Sequence, residues 1–135
     1  MEKGVYARYN QNVYSVSKND LNYIRMVSKN KSDLNNGFVE KTYPNNIKDI
    51  KNLPEIYIKE VKRSEVEQLF KLDYKAKYNG HIFNVVFPKD QTKVKLGTTD
   101  AELAKENDFE RTDKYYYEKL VDVQDVKLIE LKQEL

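Results

Sequence analysis

Apolar and polar residues alternate along much of this chain with the two-residue period of half-buried strands, not the 3.6-residue period of helices. Val5, Ala7 and Tyr9 fall on one side of a short run, Tyr6 and Arg8 on the other. Asn10-Gln11-Asn12 turns the chain, Val13 to Val16 returns, Lys18-Asn19-Asp20 turns again, and Tyr23 to Val27 makes a third strand. That order is a meander. It comes back later as Tyr74 to Tyr78, Asn79-Gly80, Ile82 to Val86, Pro88-Lys89-Asp90 and Lys93 to Leu96. Asn79-Gly80 is a strong tight-hairpin signal, because both residues tolerate positive φ. Asn10-Gln11 carries no glycine and predicts a different or looser turn.

After the third strand each copy has a polar segment ending in phenylalanine: Ser32 to Phe38, and Thr99 to Phe109. The second predicts a short helix, with Thr99 and Glu102 as a capping box and Ala101, Leu103 and Ala104 as helix formers. Asn36-Gly37 and Asn107 supply left-handed stops. Phe38 and Phe109 are expected to plug the ends of small barrels. A fourth strand follows, in which Tyr115, Tyr117, Lys119 and Val121 share a face. Single turns at Arg63-Ser64-Glu65 and Val123-Gln124-Asp125 lead into fifth strands.

The fourth-strand region shows the repeat most plainly. Ile56 to Val66 aligns without a gap on Tyr116 to Val126, pairing Tyr57 with Tyr117, Lys59 with Lys119 and Val61 with Val121. Ala7-Arg8-Tyr9-Asn10 likewise matches Ala76-Lys77-Tyr78-Asn79. The expected fold is mainly β with minor helix: two tandem SH3-like small barrels from an internal duplication, residues 1–71 and 72–135. Residues 42–55 are an insertion in the first copy, serving either as a neutral loop or as a place where a partner docks. The join near Lys71 to Asp73 lacks Gly and Pro and predicts a continuous strand.

Composition narrows the function. The 135 residues carry a net charge of +2, with 12 basic against 9 acidic residues up to Phe70 and 12 against 13 after it. Acids interleaved with bases argue against a phosphate-binding footprint. There is no cysteine, so disulfides and thiolate metal sites are ruled out. The first residues lack a basic-then-apolar leader, and no run is long enough to cross a bilayer; the expected location is cytoplasmic. Tyrosine outnumbers phenylalanine 11 to 5, which suits thin barrels where a ring is buried and its hydroxyl reaches water.

Catalytic chemistry finds no constellation here. His81 stands alone beside a hairpin turn, Asp100 and Glu102 fit the opening of a helix, and the 4 glycines are too scattered for a phosphate loop. The chain is therefore expected not to be an enzyme and to need neither cofactor nor metal. Tyr115-Tyr116-Tyr117 is the most suggestive cluster, since alternation leaves at least one ring exposed beside Arg111, Asp113 and Lys114. Exposed tyrosine next to arginine is the composition of a protein interface.

The tandem copies, through Tyr6 to Asn10, Asp33 to Lys41, Leu96 to Ala104 and Phe109 to Lys119, resemble small Firmicute proteins encoded near secreted polymorphic toxins and taken to be their immunity partners. The resemblance spans most of the chain outside residues 42–55. It implies a cytoplasmic immunity protein that binds a cognate toxin domain and blocks its active site. Tyr43, Asn45, Asn46 and Ile47 of the insertion, with Arg111, Lys114 and Tyr116, are the expected contacts. Tyr116 is expected to be the exposed ring. The alternative is a nucleic-acid- or ribosome-associated tandem module using Lys75, Lys77, Lys93 and Lys95 as a basic strip.

Overall fold

The computed structural model describes residues 1–44, 53–89 and 92–135. Among them the chain is mainly β, with eleven strands and one short helix. Every strand pair with a stated register is antiparallel, and the hydrogen-bonded order is β4-β5-β3-β2-β1-β6-β7-β8-β10-β9, with β11 on β6 off that path. The path does not close on itself. The chain divides into two compact units, Met1–Leu72 with Lys132–Leu135, and Asp73–Leu131.

In the first unit β1 (Gly4–Tyr9), β2 (Asn12–Asn19), β3 (Tyr23–Ser28) and β5 (Tyr57–Lys62) form the predicted meander, with a two-residue β4 (Val39–Glu40) beside β5. A 3-10 turn, Lys31–Asn36, sits between β3 and β4, and another, Arg63–Glu65, leads into β6 (Gln68–Tyr78). The first half of β6 returns onto β1, with Ala7 opposite Leu69. Alternation sends Ala7, Tyr14, Ile24, Met26, Tyr57, Val61 and Leu69 into one core, where Phe38 joins them. Leu135 N–H donates to the Leu69 carbonyl at 2.9 Å, and the Lys132 ammonium lies 4.3 Å from the centre of the Phe70 ring.

The second unit takes the other half of β6, then β7 (His81–Val86), β8 (Lys93–Thr98), α1 (Ala101–Glu106), β9 (Glu110–Asp113), β10 (Tyr116–Asp122), a 3-10 turn (Val123–Asp125) and β11 (Lys127–Glu134, continuing into the first unit). Ala76, Phe83, Val85, Val94, Leu96 and Val121 make its core. Burying the valine, leucine and phenylalanine side chains among them contributes about 1.5–3 kcal/mol each. β6 runs unbroken through the expected join, as the lack of Gly and Pro there predicts.

Several local expectations change. Asn10 and Gln11 both adopt positive φ (48° and 66°), so the first hairpin uses the same left-handed turn as Asn79 (48°) and Gly80 (79°). Gln11 lacks glycine's freedom, and its N–H donates to the Glu67 carboxylate at 3.1 Å. That bond offsets part of the strain of a left-handed side-chain-bearing residue. The helix cap is Asp100, whose carboxylate accepts from Leu103 N–H at 3.1 Å, and not Thr99. The left-handed residue after the helix is Asp108 (φ 60°), one position beyond Asn107. Gly37 (φ 87°) closes the first polar segment as expected.

Candidate binding site

A groove of about 670 Å³ in the first unit is bordered by β2, β3 and the Lys31–Asn36 turn. The polar segment folds this way because Asn30 caps it: its side-chain oxygen accepts from Ser32 N–H at 3.0 Å. The turn then brings Asp33 back beneath β2 and β3, where it is only 8% exposed. Its Oδ1 accepts from the Tyr14 hydroxyl at 3.3 Å and the Asn36 amide at 2.9 Å, and its Oδ2 accepts from the Ser28 hydroxyl. Burial alone pushes the Asp33 carboxyl up, but the donors Ser28, Asn36 and Tyr14 outweigh it and hold the group below the ordinary Asp value. Burial, then the Asp33 charge, raises Tyr14. The groove floor is thus an ionised carboxylate held by neutral donors.

Sequence reasoning missed this site. Tyr14 and Ser28 lie 19 and 5 residues from Asp33, and only the meander joins them. The spacing Asn30, Asp33, Asn36 was the one local signal, and it also fits an ordinary capped turn.

A second surface lies at the tip between β9 and β10. The Arg111 side chain folds over the turn, donating to the Asp113 carbonyl at 3.2 Å and the Lys114 carbonyl at 2.9 Å, while Asp113 accepts from Lys114 N–H at 2.7 Å. This stiff tip carries Tyr115, 72% exposed, with the Lys114 ammonium 5.4 Å from its ring centre. Tyr116 is not the exposed ring. It is half-buried, accepts from the Asn84 amide at 3.3 Å, and lies over Gly97 so closely that any Cβ there would collide with it. Tyr116 keeps the face of Glu118 and Gly97, opposite Tyr117 and Val121, and loses its exposure by lying across that glycine, whereas Tyr115 precedes the strand in the turn.

Of the other expected contacts, Tyr43 donates its hydroxyl to the Pro54 carbonyl at 2.8 Å and has Lys41 over its ring. Asn45, Asn46 and Ile47 lie outside the described residues. Arg111 and Lys114 come together at the tip. Lys75, Lys77, Lys93 and Lys95 do share the face of the second unit opposite Ala76, Val94 and Leu96. The strip is interrupted, however: Lys93 pairs with Asp122 at 2.9 Å, Lys75 donates to Asn84, and β7 places Ile82 and Val86 between the two lysine strands. His81 stays at the surface of the hairpin.

Among the described residues no group of three or more His, Asp or Glu side chains gathers as a metal site, and no helix is long and apolar enough to cross a membrane. Fold and site together define a mainly β chain that presents a polar groove and a rigid aromatic tip. This chain belongs to the family described as Uncharacterised conserved protein UCP033725, whose model matches residues 1–135. No curated protein and no solved structure matches it.

Proposed function

We propose that this chain is a cytoplasmic immunity protein, an internally duplicated pair of SH3-like small barrels that binds a cognate secreted bacterial toxin and blocks its active site without catalysis of its own. The duplication is supported by matched details. In one unit Lys59 donates to the Asn36 carbonyl at 2.9 Å and lies 4.9 Å from the Tyr9 ring centre; in the other Lys119 donates to the Asn107 carbonyl at 2.9 Å and lies 5.6 Å from Tyr78. Phe38 packs on Tyr14 and Phe109 on Phe83, each with centroids 4.8 Å apart. A 3-10 turn precedes the strand that returns to the start of each unit, which is the plan of such barrels.

The observation that carries the binding role is the Arg111-locked tip. A tyrosine exposed on a turn already fastened by three hydrogen bonds loses little entropy on docking, and Tyr beside Arg and Lys is the chemistry of interface hot spots. Tyr115, Arg111 and Lys114 form the proposed contact, with Tyr43 and the insertion as a second patch.

The test is growth of a bacterium expressing a candidate cognate toxin domain, alone and with this chain. Rescue by the wild type, with Tyr115→Ala weakening the complex about tenfold or more at unchanged melting temperature, is the expected result. No rescue, together with co-purified nucleic acid that leaves as salt rises, would overturn it in favour of the lysine face as a nucleic-acid module.

A further inference from the structure

We propose that the Asp33 groove of the first unit receives a cationic side chain, arginine above all, from the protein partner; the partner's being a protein rests on the immunity reading, the groove's chemistry does not. A carboxylate that is nine-tenths buried ordinarily has a cation beside it, because neutral donors return only part of the lost hydration. Among the described residues no cation donates to Asp33, whose donors Tyr14, Asn36 and Ser28 are all neutral. Two carboxylate oxygens offer about four lone-pair directions and three are used, which leaves one acceptor site on Oδ2. The groove above it, about 670 Å³, is within the size range that encloses a side chain or small ligand. Its lining adds the Glu2 carboxylate and one cation, Lys29, and Asn12, Asn30 and Ser32 supply further oxygens for the donor fork of a guanidinium.

The fold itself does not require this arrangement. In the proposed repeat Asp33 corresponds to Ala104 and Tyr14 to Phe83, both buried and apolar, and the second unit still closes with the same phenylalanine and lysine. An ionised group kept where the sister unit manages with a methyl group points to recognition.

The probe is N-acetyl-arginine amide, titrated into the ¹⁵N-labelled full chain, with the neutral, nearly isosteric N-acetyl-citrulline amide alongside. Saturable shifts of the Asn30, Ser32, Asp33 and Asn36 amides are expected, with citrulline weaker by about tenfold, a factor equal to about 1.4 kcal/mol. Asp33→Asn should lose the arginine preference while keeping the amide spectrum dispersed. Equal binding of both amides, shifts confined to other regions, or no saturable shift would overturn the proposal, and the citrulline comparison on the wild type decides even if the variant fails to fold. Growth rescue can succeed while this titration fails, and the reverse, so the two readings are separable.

Discussion

The two units carry a matching lysine-to-carbonyl bond and a matching pair of tilted aromatic rings, yet seat them differently. The first unit buries a carboxylate, a phenol and a serine hydroxyl there; the second buries Ala104 and Phe83. Over the outer face the contrast reverses: the second unit lays Tyr116 across Gly97, whereas the first leaves a groove. The common part packs against the core of each unit. The divergent part is free to be chemistry, which is where partner recognition is sought.

Exchanging the seats should break the comparison most severely. Ala104→Asp places a charge in a buried site where Phe83 stands in place of the Tyr14 donor and should cost about 3 kcal/mol or more, whereas Asp33→Ala, which orphans Ser28, Tyr14 and Asn36, should cost about 1–3 kcal/mol. Urea unfolding of both variants checks the order; equal losses would mean the two seats are not distinct. Gly97→Ala should cost about 1–3 kcal/mol by displacing Tyr116, and adding Tyr116→Ala should return part of it. A double-mutant cycle with no coupling would sever that contact.

The hairpin turns differ less. Gln11→Gly should stabilise the first by about 0.5–1 kcal/mol, and Gly80→Gln should destabilise the second by about as much or more, read as shifts of melting temperature. The smallest expected effect is one of pH. Asp33, and Asp20 through its bonds from Tyr23 and Asn22, sit below the ordinary Asp value in the folded state. Their stabilisation is therefore complete above about pH 4 and fades as pH falls through the lowered folded values. Melting temperature should drop less steeply with acid in Asp33→Asn than in the wild type.

Much of the fold was legible because strands and their turns are local. Alternation gave the meanders, the lack of breakers at 71–73 gave the unbroken β6, and short polar triplets gave the 3-10 turns before β6 and β11. What escaped depends on distant neighbours. The Glu67 carboxylate lets Gln11 hold a left-handed turn from 56 residues away, and the missing side chain of Gly97 on β8 gives the Tyr116 ring room to lie across it. β4 and β9 are too short to show a period, and both exist only as partners of longer strands. The tip at Arg111 and Lys114 was foreseeable from composition. Its exposed ring was not, because Tyr115 falls in the turn before β10 and Tyr116 is covered only through a glycine on the neighbouring strand.

The last four residues belong to the first unit, through Leu135 on Leu69, Lys132 on Phe70 and Gln68 on Glu134. A ribosome adds roughly 5–20 residues per second from the N-terminus. Residues 1–72 therefore leave it seconds before the residues that finish their unit. During that interval the edge at Leu69 and the face of Phe70 stay uncovered, and translation halted short of Lys132 would leave the earliest-made half incomplete.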